Sequence, residues 1–157
     1  MSDDEQDLST QVGQQRPLDA TQAAALTLTN PSGLYDPSDN GYSHVAQIAA
    51  GARLVFISGQ GGEDVNGELA VDFTTQVRQA LDNLQTALAS AGVQINQVAK
   101  LTVLIVDHSH ERLGIFGSAL DQVWGAWTKP ACTLIPVPRL ALDGMVFEIE
   151  AIAVVAG

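Results

Sequence analysis

Two carboxylates stand two residues apart in the segment MVFEIEAIAVVAG at 145–157. Read as a strand, it sets Val146, Glu148, Glu150, Ile152 and Val154 on one face and Met145, Phe147, Ile149, Ala151, Ala153 and Val155 on the other. The Cα atoms of Glu148 and Glu150 would then lie roughly 6.5–7 Å apart. An ionised carboxylate buried alone is unfavourable, so each needs water, a donor or a proton. Paired acids at this separation can do acid–base work on water. A strand whose polar face meets solvent or a second subunit has the same pattern, and the residues alone leave both readings open.

Other reactive side chains form less complete patterns. The string SGQGG at 58–62 follows an apolar run, and its backbone N–H groups could meet an anion. It lacks the Lys-Ser/Thr of a phosphate loop, so an ordinary glycine turn is the preferred reading. His108 and His110 flank Ser109, but residues two apart do not share a helical face, and no distant Cys or His completes a metal set. Ser43 and His44 are sequence neighbours, which is poor geometry for a nucleophile and its base. Cys132 is the one cysteine. A reactive thiolate needs a nearby cation, and the local sequence offers none.

These residues need elements to hold them. Residues 1–20 are polar and acidic and predict a flexible tail; residues 21–157 predict one domain. AALTLT is read as a short strand. HVAQIA (44–49) and ARLVFISG (52–59) are read as a hairpin around Ala50-Gly51. Asn66-Gly67 predicts a tight turn. Val77, Ala80, Leu81, Leu84, Ala87, Leu88 and Ala91 recur at spacings of three and four, which predicts an amphipathic helix between a cap at Asp72 and an end at Gly92. VAKLTVLIV (98–106) is read as a buried strand. Ser109 is read as the cap of a second helix with Leu113, Phe116, Leu120, Val123, Trp124 and Trp127 as its stripe. CTLIPV (132–137) and MVFEIEAIAVV (145–155) are the last strands. Alternation puts Cys132, Leu134 and Pro136 on one face of theirs. The expected fold class is α+β, a mixed sheet backed by two helices, with the bare sheet face covered by a homo-oligomer.

Composition narrows the function. Of 157 residues, 46% are hydrophobic and 16% charged, and the net charge is −11. The seven bases are scattered singly, so nothing tracks phosphates, and nucleic acid and anionic membranes are disfavoured as partners. No apolar run reaches the ~18 residues of a membrane span. A single cysteine and an acidic start lead to the expectation of a cytoplasmic protein.

The strings YSH (42–44), ISGQ (57–60), GE (67–68), QVRQALDNLQTALASAG (76–92), VAKLTVLIVD (98–107) and EIEAIAV (148–154) occur in this order. Together they resemble the Rid family, the RidA/YjgF-type reactive intermediate deaminases, from about residue 40 to the C-terminus. The resemblance implies a chorismate-mutase-like fold and a homotrimer whose sheets form a central barrel with clefts at subunit interfaces. It implies hydrolysis of imine or enamine intermediates to a carbonyl product and ammonia, without metal or cofactor. It also implies residue roles. Tyr42 would close the cleft, Ser58 and Gly59 would line it, and Glu148 would be the catalytic acid that positions water. The resemblance expects Pro-Ala-Arg at the start of the penultimate strand, with the arginine gripping a substrate carboxylate. Here Pro130-Ala131-Cys132 stands there. A thiol cannot form the paired charge-assisted hydrogen bonds of a guanidinium. Leu134 takes a position often held by cysteine, and Gly117 one often held by asparagine. Tyr42, Ser58, Gly59, Cys132 and Leu134 are therefore the expected substrate-binding residues around Glu148, in a more apolar cleft. Arg139 or a partner-chain arginine is the expected substitute for the lost cation. The alternative is a trimer that holds a small ligand without turnover.

Overall fold

A computed structural model describes residues 25–157. The expected tail at 1–20 lies outside the described residues. Two helices form where the apolar period demands them. Helix α1, Phe73–Ser90, buries Val77, Ala80, Leu81, Leu84 and Leu88. The Asp72 carboxylate accepts from Thr75 N at 2.9 Å and so closes its free N-terminal end. The chain leaves through Gly92, whose φ of +71° is a left-handed conformation that glycine adopts without a Cβ clash. Helix α2, His110–Trp124, starts at Ser109, whose Oγ accepts from Arg112 N at 3.1 Å. Its buried stripe includes Phe116, Leu120 and Trp124. Trp127 is not part of that stripe. The helix stops at Gly125, and Trp127 lies beyond it, 51% exposed.

Six strands lie among the described residues: β1 Leu26–Thr29, β2 Val45–Ile48, β3 Arg53–Gly61, β4 Val98–Val106, β5 Ala131–Val137 and β6 Phe147–Val155. Four make one sheet in the order β3-β6-β4-β5. β4 and β5 are parallel, and α2 is the crossover that parallel neighbours require. The helices cover one sheet face. Leu101, Val103 and Ile105 of β4 and Phe147, Ile149 and Ala151 of β6 point into that core and are buried. The opposite face carries Glu148, Glu150 and Ile152, with Leu54 and Phe56 beside them on β3. Phe56 is 70% exposed there.

The turn at Ala50-Gly51 forms, with Gly51 at φ +79° and Ala52 N donating to Ala49 O at 3.3 Å. The predicted hairpin does not. β2 pairs with β1, from Leu26↔Ile48 to Thr29↔Val45, while β3 pairs with β6. A turn signal says that the chain reverses, not which edge each strand will take. The nine residues of β6 offer β3 a longer ladder than the four of β2 could. The small hairpin β1–β2 instead covers one end of the open face, where Ala25, Ala99 and Val154 form a second buried cluster. This explains why Val154 is buried although it shares a face with the two glutamates.

Candidate functional site

Glu148 sits beside an irregularity in the sheet. Ile57 pairs with Ala151 and Gln60 with Ile149, so Ser58 and Gly59 together face Glu150 alone. Two residues against one is a β-bulge, which bends the strand and frees backbone groups from the ladder. The Glu148 side chain lies over this bulge. A Cβ at Gly59 would overlap Glu148 Oε1 and come within 2.7 Å of its Cδ. A side chain at 59 would therefore push the carboxylate away from the bulge. Gly61, two residues on, makes room for a second one: a Cβ there would overlap Glu63 Oε2. The Glu148 carboxyl is held above the ordinary glutamate range, first by burial, then by the negative charges of Glu63 and Glu150. Glu63 was not singled out in the sequence, since it is one acid in a turn-rich loop. Its closeness to Glu148 is a product of the fold.

Helix α1 fixes this loop. Gln76 is fully buried and its Nε2 donates to Ala70 O at 2.7 Å and to Gly144 O at 2.9 Å. Its Oε1 accepts from Val146 N at 3.0 Å. Gln79 Nε2 donates to Asn83 Oδ1 at 2.9 Å. Asn83 Nδ2 then donates to Gly61 O at 3.0 Å and Glu63 O at 2.8 Å. The amides of α1 thus tie the glycine loop on one side and the approach to β6 on the other. Gly62 lets the helix come this close, because a Cβ there would stand 2.6 Å from Gln76 Cα.

A cleft of about 670 Å³ opens elsewhere, between α2, the start of β5 and the loop at 35–42. Tyr42, Cys132 and Leu134 line it together, and Gly117 is on its wall. Tyr35 joins them, with its ring centroid 6.5 Å from that of Tyr42 and its hydroxyl against the Tyr42 hydroxyl. His44 packs edge-on to both rings and meets the Tyr35 carbonyl through Nε2 at 2.8 Å. Ser43 is turned away, donating to Lys129 O at 2.6 Å, so Ser43 and His44 are not a nucleophile and base. Burial pushes the Cys132 thiol up to about 11, and the Lys100 charge opposes that shift without cancelling it. Cys132 is therefore a thiol at neutral pH and not a nucleophilic thiolate.

A sequence model of the family described as "Endoribonuclease L-PSP" matches residues 36–155. The RutC family protein YjgH of Escherichia coli is 35% identical over 112 residues, covering 71% of this chain and 82% of its own. The chain belongs to the Rid/YjgF family. The 2-iminobutanoate/2-iminopropanoate deaminase of Escherichia coli is 33% identical over 93 residues, covering 56% of this chain and 68% of its own. Among solved structures, the Rid family protein YyfB of Yersinia pestis, described as of unknown function, superposes with a TM-score of 0.78 at 31% identity. The match covers 82% of this chain and 98% of that one. The expected architecture, two helices on a mixed sheet, is that of these Rid/YjgF neighbours.

Within one Rid/YjgF-type chain the expected site residues fall into two groups. Cys132 pairs with Leu101 and Leu134 with Val103, and both pack toward the helix-side core. Glu148 pairs with Leu104 on the opposite face, with Ser58 and Gly59 beside it. Neighbouring strands keep paired residues on the same face, so Cys132 and Glu148 point away from each other. Arg139 joins neither group. It is 71% exposed in the loop after β5 and forms an ion pair with Asp143. It is no substitute for a cleft cation within one chain. The sequence also missed Tyr35. Its signal was there, an aromatic beside Leu34 in a loop dense in Pro, Gly, Asn, Asp and Ser.

Proposed function

We propose that this chain hydrolyses imine or enamine intermediates to a carbonyl compound and ammonia in a cleft shared between copies. Glu148 supplies the proton-handling group. The single observation that carries this reading is the Glu148 carboxyl. It sits over a bulge that frees backbone donors, beside two other acids that raise its hold on a proton. A carboxylate with a raised proton affinity is a stronger base toward water than an ordinary glutamate. In the reaction water adds to the C=N carbon of the protonated imine and passes one proton to Glu148, which leaves a neutral carbinolamine. Glu148 returns that proton to the nitrogen, the C–N bond breaks, and the hydroxyl proton goes to the departing ammonia as the carbonyl forms. The Escherichia coli relative named as an imine deaminase supports the reaction class. The opposed directions of Cys132 and Glu148 support a shared cleft. If the two groups serve one small molecule, Glu148 must come from the next copy. An open sheet face rich in Leu54, Phe56 and Ile135 supports a trimer built on that face.

A second reading is favoured by Cys132 in the place where the family resemblance implies an arginine. It is a trimer that binds a small ligand without turnover. Ammonia release separates the two readings. The test uses 2-aminoacrylate made in place by a serine dehydratase, and uncarboxylated imines released by an amine oxidase. Acceleration by the wild type that is lost in Glu148→Gln is the expected result. No acceleration with either source, beside an active arginine-bearing Rid protein, would leave the binding reading.

A further inference from the structure

The cleft beside Cys132 combines three features that point to one class of ligand. The first is its aromatic wall. Tyr35 and Tyr42 stand at 75° to each other, and Phe116 closes the floor. Ring faces set at an angle attract a cation through their quadrupoles. The contacts of His44 to both tyrosine rings fix this arrangement. The second is charge. Asp39 and Asp121 line the cleft, and among the described residues that line it none is a lysine or arginine. Lys129 lies nearby, but its Nζ is held by Asp121 at 2.6 Å, so that pair is neutral and Asp39 leaves the cleft negative. The third is the thiol. Cys132 is uncharged at neutral pH, so it offers a desolvated carboxylate no charge. The Lys100 ammonium behind it donates to Thr133 Oγ1 at 2.6 Å and does not itself line the cleft. The field of a chain with net charge −11 acts in the same sense, gathering cations and repelling anions.

We infer that this cleft selects small organic cations that carry no carboxylate, amines or protonated imines, with the charge held between Tyr35, Tyr42 and Asp39. The inference rests on the proposed function for its place in a reaction, and names the substrate class of that same site. The chemistry agrees, because a protonated imine is the form whose carbon water attacks most readily. A site that concentrates the cation therefore also concentrates the reactive species.

Calorimetric titration of the full chain with three probes that share a benzyl group tests this. The probes are benzyltrimethylammonium, benzyl alcohol and phenylacetate. The cation is expected to bind about tenfold or more tightly than phenylacetate, with the alcohol between. Tyr35→Ala and Asp39→Asn should each remove most of that preference, and both residues are exposed enough for the fold to survive. Cys132→Arg should reverse the order. Equal binding of all three, tighter binding of phenylacetate, or no binding of any would overturn the inference. The readout is binding, so it stands apart from catalysis. A cation preference without imine hydrolysis keeps the inference and removes the catalytic reading. Hydrolysis that favours carboxylated imines does the reverse.

Discussion

Glu148 and Cys132 are both shifted by burial, with opposite consequences for chemistry. Burial keeps the Cys132 thiol neutral, which disarms it as a nucleophile. Burial and the charges of Glu63 and Glu150 strengthen the hold of Glu148 on a proton, which suits it to pass one. The same shift makes the fold pH-sensitive. A carboxyl whose folded pKa lies above its unfolded value binds more protons in the native state than in the unfolded chain. Stability is then highest below the unfolded value and is lost as pH rises through the folded one. Near neutral pH an ionised Glu148 is thus a burden on the fold. Glu148→Gln should melt at a higher temperature than the wild type there. The gap should close as pH falls to the 4.5 of an ordinary glutamate. Thermal melts from about pH 4 to about pH 8 measure it. A variant less stable at neutral pH would mean that the ionised carboxylate has a stabilising partner.

At the scale of elements, helix α1 matters through its buried amides as much as through its apolar stripe. Gln76 satisfies two carbonyls and one N–H that no strand or helix pairs. Gln76→Ala would strand these groups and open a cavity. The expected loss is about 2–4 kcal/mol, read as a lower urea midpoint. Loss within about 0.5 kcal/mol would mean that water replaces the amide without penalty. The spacing of Gln76, Gln79, Leu81 and Asn83 was visible in the sequence as part of the family resemblance. Its physical reason was not. The carbonyls it serves lie in loops far along the chain, and only packing brings them to the helix. The hairpin error belongs to the same scale, since the turn at Gly51 was local and legible while the choice of partner strand was not.

At the scale of the molecule, the open sheet face is the unfinished surface. Phe56 is 70% exposed on the edge strand β3, with Leu54 and Ile135 also uncovered. An apolar face of this kind is seldom left to water in a stable monomer. The proposed trimer has a mass of about 50 kDa, three times the 16.5 kDa chain. Phe56→Glu sets three like charges near one axis and should shift the protein to monomers in analytical ultracentrifugation, with imine hydrolysis lost in parallel. A wild type that sediments as a monomer would remove the shared cleft. The face needs no basic patch to close, which agrees with a chain that has few bases to spend.

The sequence alone determined the helices, the strands and their caps, because periodicity and capping are set by residues within a turn or two of one another. It also determined that Glu148 shares a face with Glu150, whereas the grouping of Tyr42, Ser58, Gly59, Cys132 and Leu134 around Glu148 was an expectation drawn from the family resemblance. Only the tertiary structure decided which strand β2 joins, that Glu63 reaches the surroundings of Glu148, and that Cys132 and Glu148 face opposite ways. It also made the cleft aromatic and acidic, by bringing Tyr35 and Asp39 against α2 and β5. These are contacts between residues distant in the chain. Their geometry follows from sheet order and packing, which no local pattern encodes.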